Sequence, residues 1–315
     1  MKVSVLMITY NHEKFVAQAI DSILMQKVDF DYEVVIGEDC STDNTREIVI
    51  DYKRKFPDRI RLLLHQNNLG GRKNFAQALK TCRGEYIAML EGDDYWTSPH
   101  KLQKQVDFLD SHPECAICFH SVRELYEDGS RTSWIFLPPG KKEIYTLEDL
   151  LERNLMATLS MMFRNGLFGE LPTWFYGTRM GDWPLNILNA QYGKIGYIDE
   201  VMGVYRVHNG GVWSSNELIR KLQGEVEAYR FINSHFNFRY NKFIRSHISL
   251  RYLWIAVAHK RNGDRIKALT NLFKYISTSQ SIQGVSPRRL VLLTLELVSP
   301  RVYKMLKGVK YKYLM

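Results

Sequence analysis

Residues 2–9, KVSVLMIT, are almost all apolar or β-branched. A run without alternation suits a strand covered on both faces, as in a parallel sheet. The polar YNHE follows, and then KFVAQAIDSILMQ, where Phe15, Val16, Ala19, Ile20, Ile23 and Leu24 recur at helical spacing. The same alternation continues. YEVVIGE reads as a strand, DCSTDNT as a polar loop, and DNTREIVIDYKRKF as a helix stopped by Pro57. RIRLLLH is a third strand, NNLGG a turn, RKNFAQALKTC a third helix and EYIAML a fourth strand. This β-α-β-α-β-α-β order predicts an α/β fold: a doubly wound, mostly parallel sheet with helices on both faces.

In such a sheet a ligand sits outside the carboxyl ends of the strands. The loops expected at that rim are Thr9-Tyr10-Asn11, Glu38 to Ser41, Asn67 to Arg72, and Glu91 to Asp94. No G-x-G-x-x-G follows the first strand and no G-x-x-x-x-G-K-[ST] occurs, which disfavours a standard dinucleotide or P-loop site. The rim instead offers a hydroxyl, amides, carboxylates and one arginine. That set suits a nucleotide held by base and ribose, with its diphosphate bridged by a metal.

The stretch LEGDDYW crowds Glu91, Asp93 and Asp94 at the end of an apolar run. Packed carboxylates repel unless a cation lies between them. Mg²⁺ or Mn²⁺ takes oxygen ligands, and Mg²⁺ often uses one or two carboxylates plus substrate phosphates. The alternative is a solvated acidic turn ahead of the helix after Ser98-Pro99. Cysteine adds no chemistry. Cys115-Ala-Ile-Cys118 matches C-x-x-C but lies in the strand-like CAICFHSV, where positions three apart face opposite ways, so buried thiols are expected.

Taken together, VLMITYNHEKFVAQAIDSIL, GEDCSTDNT, NLGGRKNFAQAL, GEYIAMLEGDDYWTSPHKLQKQ, GDWPL and YRVHNGG resemble a family 2 glycosyltransferase of the GT-A fold. The resemblance covers residues 1 to about 213, in family order and spacing. It implies transfer of a sugar, usually UDP-linked, with inversion at the anomeric carbon. It further implies that Thr9 and Asp39 hold the uridine, that Tyr10 and Asn11 belong to the same nucleotide loop, and that Arg72 lies near base or phosphate. Asp94 then makes the direct metal contact, and Asp93 serves ribose and metal shell. Asp182 in GDWPL matches the catalytic base, although an Asp two residues before Pro184 also suits a helix N-cap. His208 is implied near phosphate or metal and Arg206 near the diphosphate. Trp96, Trp183 and Trp213 flank the site segments and suit either sugar stacking or core packing. The chain departs from the commoner pattern at Glu38, Cys40 and Glu91, and the longer reach of Glu91 leaves its place in the metal shell open.

Charge divides the chain. Residues 201–315 carry +15 and residues 1–200 carry −6. The reading is therefore a catalytic domain over 1–213 and a basic helical region over 214–315. Within the latter, GDRIKALTNLFKYI places Ile266, Leu269, Leu272, Phe273 and Ile276 on one helical face, and SIQGVSP at 281–287 reads as a linker. RVYKMLKGVKYKYLM, residues 301–315, sets an apolar stripe against five basic residues with no acid, the pattern of a helix lying in an anionic membrane interface. The alternative is a terminal helix packed on the catalytic domain. No window is apolar enough to span a bilayer, and the first ten residues do not read as a secretory signal. A cytoplasmic protein, peripheral on the inner face of the membrane and meeting a glycan or lipid-linked acceptor for surface polysaccharide, is expected.

Two other classes fit less of the sequence. A sugar-nucleotide nucleotidyltransferase would carry a glycine-rich basic loop after the first strand, which TYNHEKF is not. A non-catalytic polyanion binder would use the basic region but leaves the rim acids unexplained, and no nucleic-acid partner is expected.

Overall fold

The computed structural model describes residues 1–211 and 218–279, together with Glu296. The expectations for Trp213, for 281–287 and for 301–315 concern residues outside this set. The chain divides into two compact units, Met1–Gly177 with Gly181–Ser215, and Thr178–Met180 with Asn216–Met315.

The first unit opens with β1 (Val3–Thr9), α1 (Val16–Leu24), β2 (Tyr32–Glu38), α2 (Thr45–Lys55), β3 (Ile60–Leu64), α3 (Gly71–Thr81) and β4 (Tyr86–Glu91). Every residue of β2, and all of β1 except Ile8, is buried, as their unbroken apolar runs require. Strands β3, β2, β1 and β4 lie side by side in that order, all parallel. The winding therefore reverses between β1 and β4. In register Thr9 pairs with Glu38 and Ile8 with Glu91, so three strands end almost level at the switch point.

The chain continues through β5 (Tyr95–Trp96), α4 (Lys101–Ser111), β6 (Cys115–Tyr126), β7 (Trp134–Phe136), β8 (Ile144–Tyr145), α5 (Leu147–Glu152), β9 (Met162–Arg164), α6 (Asp182–Ala190) and β10 (Lys194–Val207). The sheet extends beyond β4 as β9, β6, β10 and β5, with β7 on β6 and β8 on β10. β9 runs antiparallel between β4 and β6 and matches Ala88 with Met162 and Met162 with Cys118. Residues 122–126 of β6 therefore project past the level at which β4 ends. Register shifts in β10 between Ile198 and Gly203 fall where this projection begins, the kind of irregularity that bends a strand. Past it, β5, β10, β6 and β7 form a four-strand strip beyond the rim. Cys115 and Cys118 are buried free thiols on β6, as the strand reading requires.

In the second unit the described helices are α7 (Leu218–His235), α8 (Asn241–Arg261) and α9 (Arg265–Thr278). The Asp264 side chain caps α9 by accepting from the Lys267 amide at 3.0 Å. The apolar residues read onto one face of α9 do not together form its buried side. Ala268, Leu272 and Tyr275 are buried, whereas Ile266, Phe273 and Ile276 are exposed, Phe273 by 70%. Among the described residues no helix is long and apolar enough to cross a membrane.

Candidate active site

The strand ends bring the predicted loops together. Thr9 is buried at the end of β1, and its Oγ1 lies 3.2 Å from His12 Nδ1. The backbone of Gly92 packs against this pair so closely that a Cβ there would fall 2.5 Å from Thr9 Oγ1. Asp39 is buried at the end of β2. Its two carboxylate oxygens accept the Leu69 and Gly70 amides at 2.7 and 2.9 Å, so this side chain fixes the glycine turn that leads into α3. Asn11 adopts φ 55° and accepts from the Thr42 amide at 2.8 Å. Tyr10 beside it is exposed. Glu38 is buried and paired with Arg46 at 2.5 Å, which commits it to holding the loop after β2.

The acids past β4 are not a solvated turn. α4 begins at Lys101 with His100 as its cap residue and no capping side chain, and Asp94 is 1% exposed. One Asp94 oxygen accepts the Arg206 amide at 2.8 Å, and the other, Oδ2, is buried with no hydrogen-bond partner among the described residues. Asp93 differs. Its Oδ2 lies 3.2 Å from His208 Nε2 and 3.6 Å from His12 Nε2, with 19% of the side chain open to solvent. Burial pushes the Asp93 carboxyl up, but the His208 hydrogen bond and the two imidazoles outweigh it and hold it below the usual carboxylate range. Burial and the neighbouring Asp93 and Glu91 raise Asp94 well above that range. Burial, Asp93 and Asp182 push Glu91 up to about 8, against the pull of Arg72 and of a hydrogen bond with Thr158.

Asp182 is the first residue of α6, and Gly181 holds the cap position, so the N-cap reading of Asp182 is corrected. Asn154 Nδ2 donates to Asp182 Oδ2 at 2.6 Å. Burial raises the Asp182 carboxyl, against the Trp183 amide, Arg72 and Asn154. Arg72, near the start of α3, reaches across to the same place. A Cβ built on Gly181 would fall 2.2 Å from Arg72 Nη1, so the guanidinium lies directly on the glycine backbone. Burial lowers the Arg72 pKa, while Asp182 and Glu91 counter the effect.

Two further assignments change. Arg206, expected near a diphosphate, is 5% exposed and already occupied. Its guanidinium binds Glu127 Oε1 and the Asp93 carbonyl at 2.8 Å each, and also Gln18. It therefore braces the acidic loop against the end of β10. Trp183 is a core residue, buried with its indole N–H on the Leu150 carbonyl at 2.8 Å, and Trp96 is buried with its N–H on Leu159 at 2.9 Å. Neither presents a face to a sugar.

Sequence reasoning did not single out His12, Asn154, Thr158, Gln18 and Glu127. His12 stands three residues after Thr9, next to a strand-end loop, which is a usable signal. The others carry no local pattern and reach the site only through the fold.

Four carboxylates, Glu91, Asp93, Asp94 and Asp182, thus share one buried neighbourhood with Arg72 and two imidazoles. Among the described residues no three His, Cys, Asp or Glu side chains are placed to hold an ion by themselves. The buried, unpartnered Asp94 Oδ2 and the mutual repulsion of the acids nevertheless fit a cation that draws its remaining ligands from a substrate.

Residues 4–168 match the family described as Glycosyl transferase family 2. An uncharacterized protein of Mycobacterium tuberculosis is 40% identical over 227 residues, which is 72% of this chain and 64% of that protein. The chain thus spans just under two thirds of this curated relative. TarS of Staphylococcus aureus, a poly(ribitol-phosphate) beta-N-acetylglucosaminyltransferase, is 36% identical over 115 residues, 36% of this chain and 19% of that protein. Its structure with UDP-GlcNAc superposes at TM-score 0.58 and 19% identity, covering 88% of this chain and 89% of that one. The mannosyltransferase PcManGT of Pyrobaculum calidifontis, solved with GDP-Man and Mn²⁺, superposes at TM-score 0.60 and 18% identity, covering 98% and 83% of the two chains. Fold, strand-end loops and family match agree, and the chain belongs to the family 2 glycosyltransferases.

Proposed function

We propose that the chain transfers a sugar from a nucleotide diphosphate, first of all a UDP-sugar, to a hydroxyl of a glycan or lipid-linked acceptor, with inversion. The observation that carries this reading is the convergence of Asp182, Arg72 and Glu91 beside Asp93 and Asp94 at the sheet's switch point. The raised, buried Asp182 carboxylate takes the proton of the attacking hydroxyl. Asn154 fixes the orientation of that carboxylate. Thr9 and Asp39 hold the base, with Tyr10 and Asn11 at its edge. Arg72 places a fixed positive charge between base residue and acids, where a diphosphate would lie.

Asp93 and His208 would hold a divalent ion, Mn²⁺ or Mg²⁺, with Asp94 Oδ2 behind them. When bound, such an ion takes up charge on the leaving diphosphate. Support comes from the partly exposed Asp93 side chain, whose Oδ2 faces two imidazoles, and from the Mn²⁺ present with GDP-Man in the neighbouring fold. On this reading one Asp94 oxygen anchors the loop through the Arg206 amide, and Oδ2 would be the direct contact to the ion. UDP-GlcNAc in the TarS structure supports a UDP donor, and the polymer named for TarS supports a surface-polymer acceptor. The basic sequence of 301–315 supports a membrane-borne acceptor met at the cytoplasmic face, and co-sedimentation with anionic liposomes tests it.

A donor screen tests the function. The chain is incubated with a panel of nucleotide sugars and Mn²⁺, and release of free nucleotide diphosphate is measured. Release from one UDP-sugar above the rest is expected. Binding of no nucleotide sugar, with the protein folded, overturns the reading.

A further inference from the structure

The four-strand strip past the rim carries a row of side chains that the reaction above does not use. In register, Tyr205 of β10 pairs with Glu124 of β6, and Glu124 pairs with Trp134 of β7. Directly opposed residues point to the same face of a sheet. Contacts confirm the shared face: Trp134 Nε1 donates to Glu124 Oε2 at 2.6 Å, and the Tyr126 hydroxyl, two residues along, donates to the same oxygen at 3.3 Å.

The inner end of this row is anchored at the acids. Tyr205 is the residue before Arg206, whose amide binds Asp94. Burial, and then the charges of Asp94, Glu91, Asp93 and Asp182, raise the Tyr205 phenol, so it lies within the field of the acid cluster. The outer end is open. Trp134 is 49% exposed on an edge strand, although its N–H is satisfied. Two strand spacings separate the ends, roughly 10 Å, about the length of two sugar rings.

We propose that Trp134 and Glu124 form a subsite for a sugar ring of the acceptor, one ring removed from the hydroxyl that reacts at Asp182. The chemistry is specific to a saccharide. An indole face held in place by its own N–H offers an apolar platform to the C–H face of a pyranose. Glu124 beside it has a second oxygen, Oε1, without a hydrogen-bond partner among the described residues, to accept from ring hydroxyls. The platform is rigidly joined to the chemistry, because the next residue but one after Tyr126's neighbour Leu125, Glu127, binds Arg206 at 2.8 Å, and Arg206 holds the Asp93 carbonyl. Ile135, on the same strand but facing the other way, is the internal contrast. This inference rests on the transfer reaction proposed above.

The test uses the full chain, with and without saturating UDP, and three probes: trisaccharides of glucose, of N-acetylglucosamine and of mannose. Binding is read by tryptophan fluorescence and by calorimetry. At least one trisaccharide is expected to bind the wild type. Trp134→Ala should weaken that binding about tenfold or more. Trp134→Phe should retain most of it, and Glu124→Gln should weaken it while leaving the fluorescence spectrum of the free protein intact. Ile135→Ala should bind as wild type, and UDP affinity should be unchanged in all four variants. If no trisaccharide binds, or if Trp134→Ala binds as tightly as Ile135→Ala, the subsite is refuted. Failure of the wild type to bind UDP would instead strike the nucleotide-sugar reading, so the two failures are separable.

Discussion

His208 Nε2 stands 3.2 Å from Asp93 Oδ2, and its ring packs 4.7 Å from that of Phe15, so strand end, acidic loop and first helix meet at one imidazole. If this pair holds a divalent ion, Asp93→Asn and His208→Ala should each weaken metal-dependent UDP binding by tenfold or more, about 1.4 kcal/mol. Calorimetry with Mn²⁺ and with EDTA checks it. Equal affinity in all four combinations would remove the ion from this pair. Asp94→Asn should also weaken metal-dependent UDP binding by about tenfold or more, because the amide oxygen still accepts the Arg206 amide while the buried, unpartnered oxygen that suits a cation becomes an NH₂ donor.

Asp182→Asn keeps a side chain of the same shape beside Asn154. UDP affinity and unfolding temperature should stay near wild type, while transfer falls by roughly 10²-fold or more. A variant that transfers at the wild-type rate would exclude Asp182 as the base.

Gly181→Ala probes Arg72 without touching it. Gly181 has φ −111° and ψ −40°, which alanine accepts, but the new methyl would fall on the tip of the Arg72 side chain. That tip is flexible and can move away. The unfolding temperature should change by no more than about 4 °C, while transfer drops at least as far as in Arg72→Lys. Unchanged activity would show that the arginine's position is immaterial.

A pH test lies outside the site. His120 is buried on β6, its Nδ1–H donating to the Ser121 carbonyl at 2.8 Å and its Nε2 without a partner. Burial and the nearby Lys101 push its pKa from 6.5 down to about 3. As pH falls below 6.5 the unfolded chain takes up a proton that the folded one refuses. Stability therefore drops by up to about 1.4 kcal/mol per pH unit until pH nears the folded value. Lys101, buried over the Trp96 ring at 3.8 Å with its pKa well lowered by burial, acts in the same direction at higher pH. His120→Gln should flatten the loss between pH 6.5 and 4 in urea titrations. Parallel curves for variant and wild type would refute the assignment.

β1, β2 and β4 were readable because a parallel strand buried on both faces has no alternation to confuse with anything else, whereas β3, an edge strand with only Ile60 buried, was read from its apolar run between a helix and a turn. The acid loop was readable because Glu91, Asp93 and Asp94 adjoin such a strand. Legibility stops where a role depends on direction. Trp183 and Arg206 lie in site segments, yet the Leu150 carbonyl and the Glu127 carboxylate that claim them come from 33 and 79 residues away. On α9 two stripes share Leu272, and periodicity alone does not say which faces protein: Ala268, Leu272 and Tyr275 do, and Ile266 and Phe273 do not. Asn154 meets Asp182 across 28 residues without any motif to announce it.

The brace at Arg206 also sets an order of assembly. The Asp93–Asp94 loop is tied to a residue more than a hundred positions later, on the last strand among the described residues. Until β10 docks, Asp94 lacks the amide that its carboxylate accepts and Asp93 lacks the guanidinium on its carbonyl. The nascent chain can form β1 to β4 from nearby contacts, but contacts of such long range close late. Without β10 the acids would have His12 beside Asp93 but neither Arg206 nor His208. The acidic loop reaches its braced arrangement only once β10 is in place.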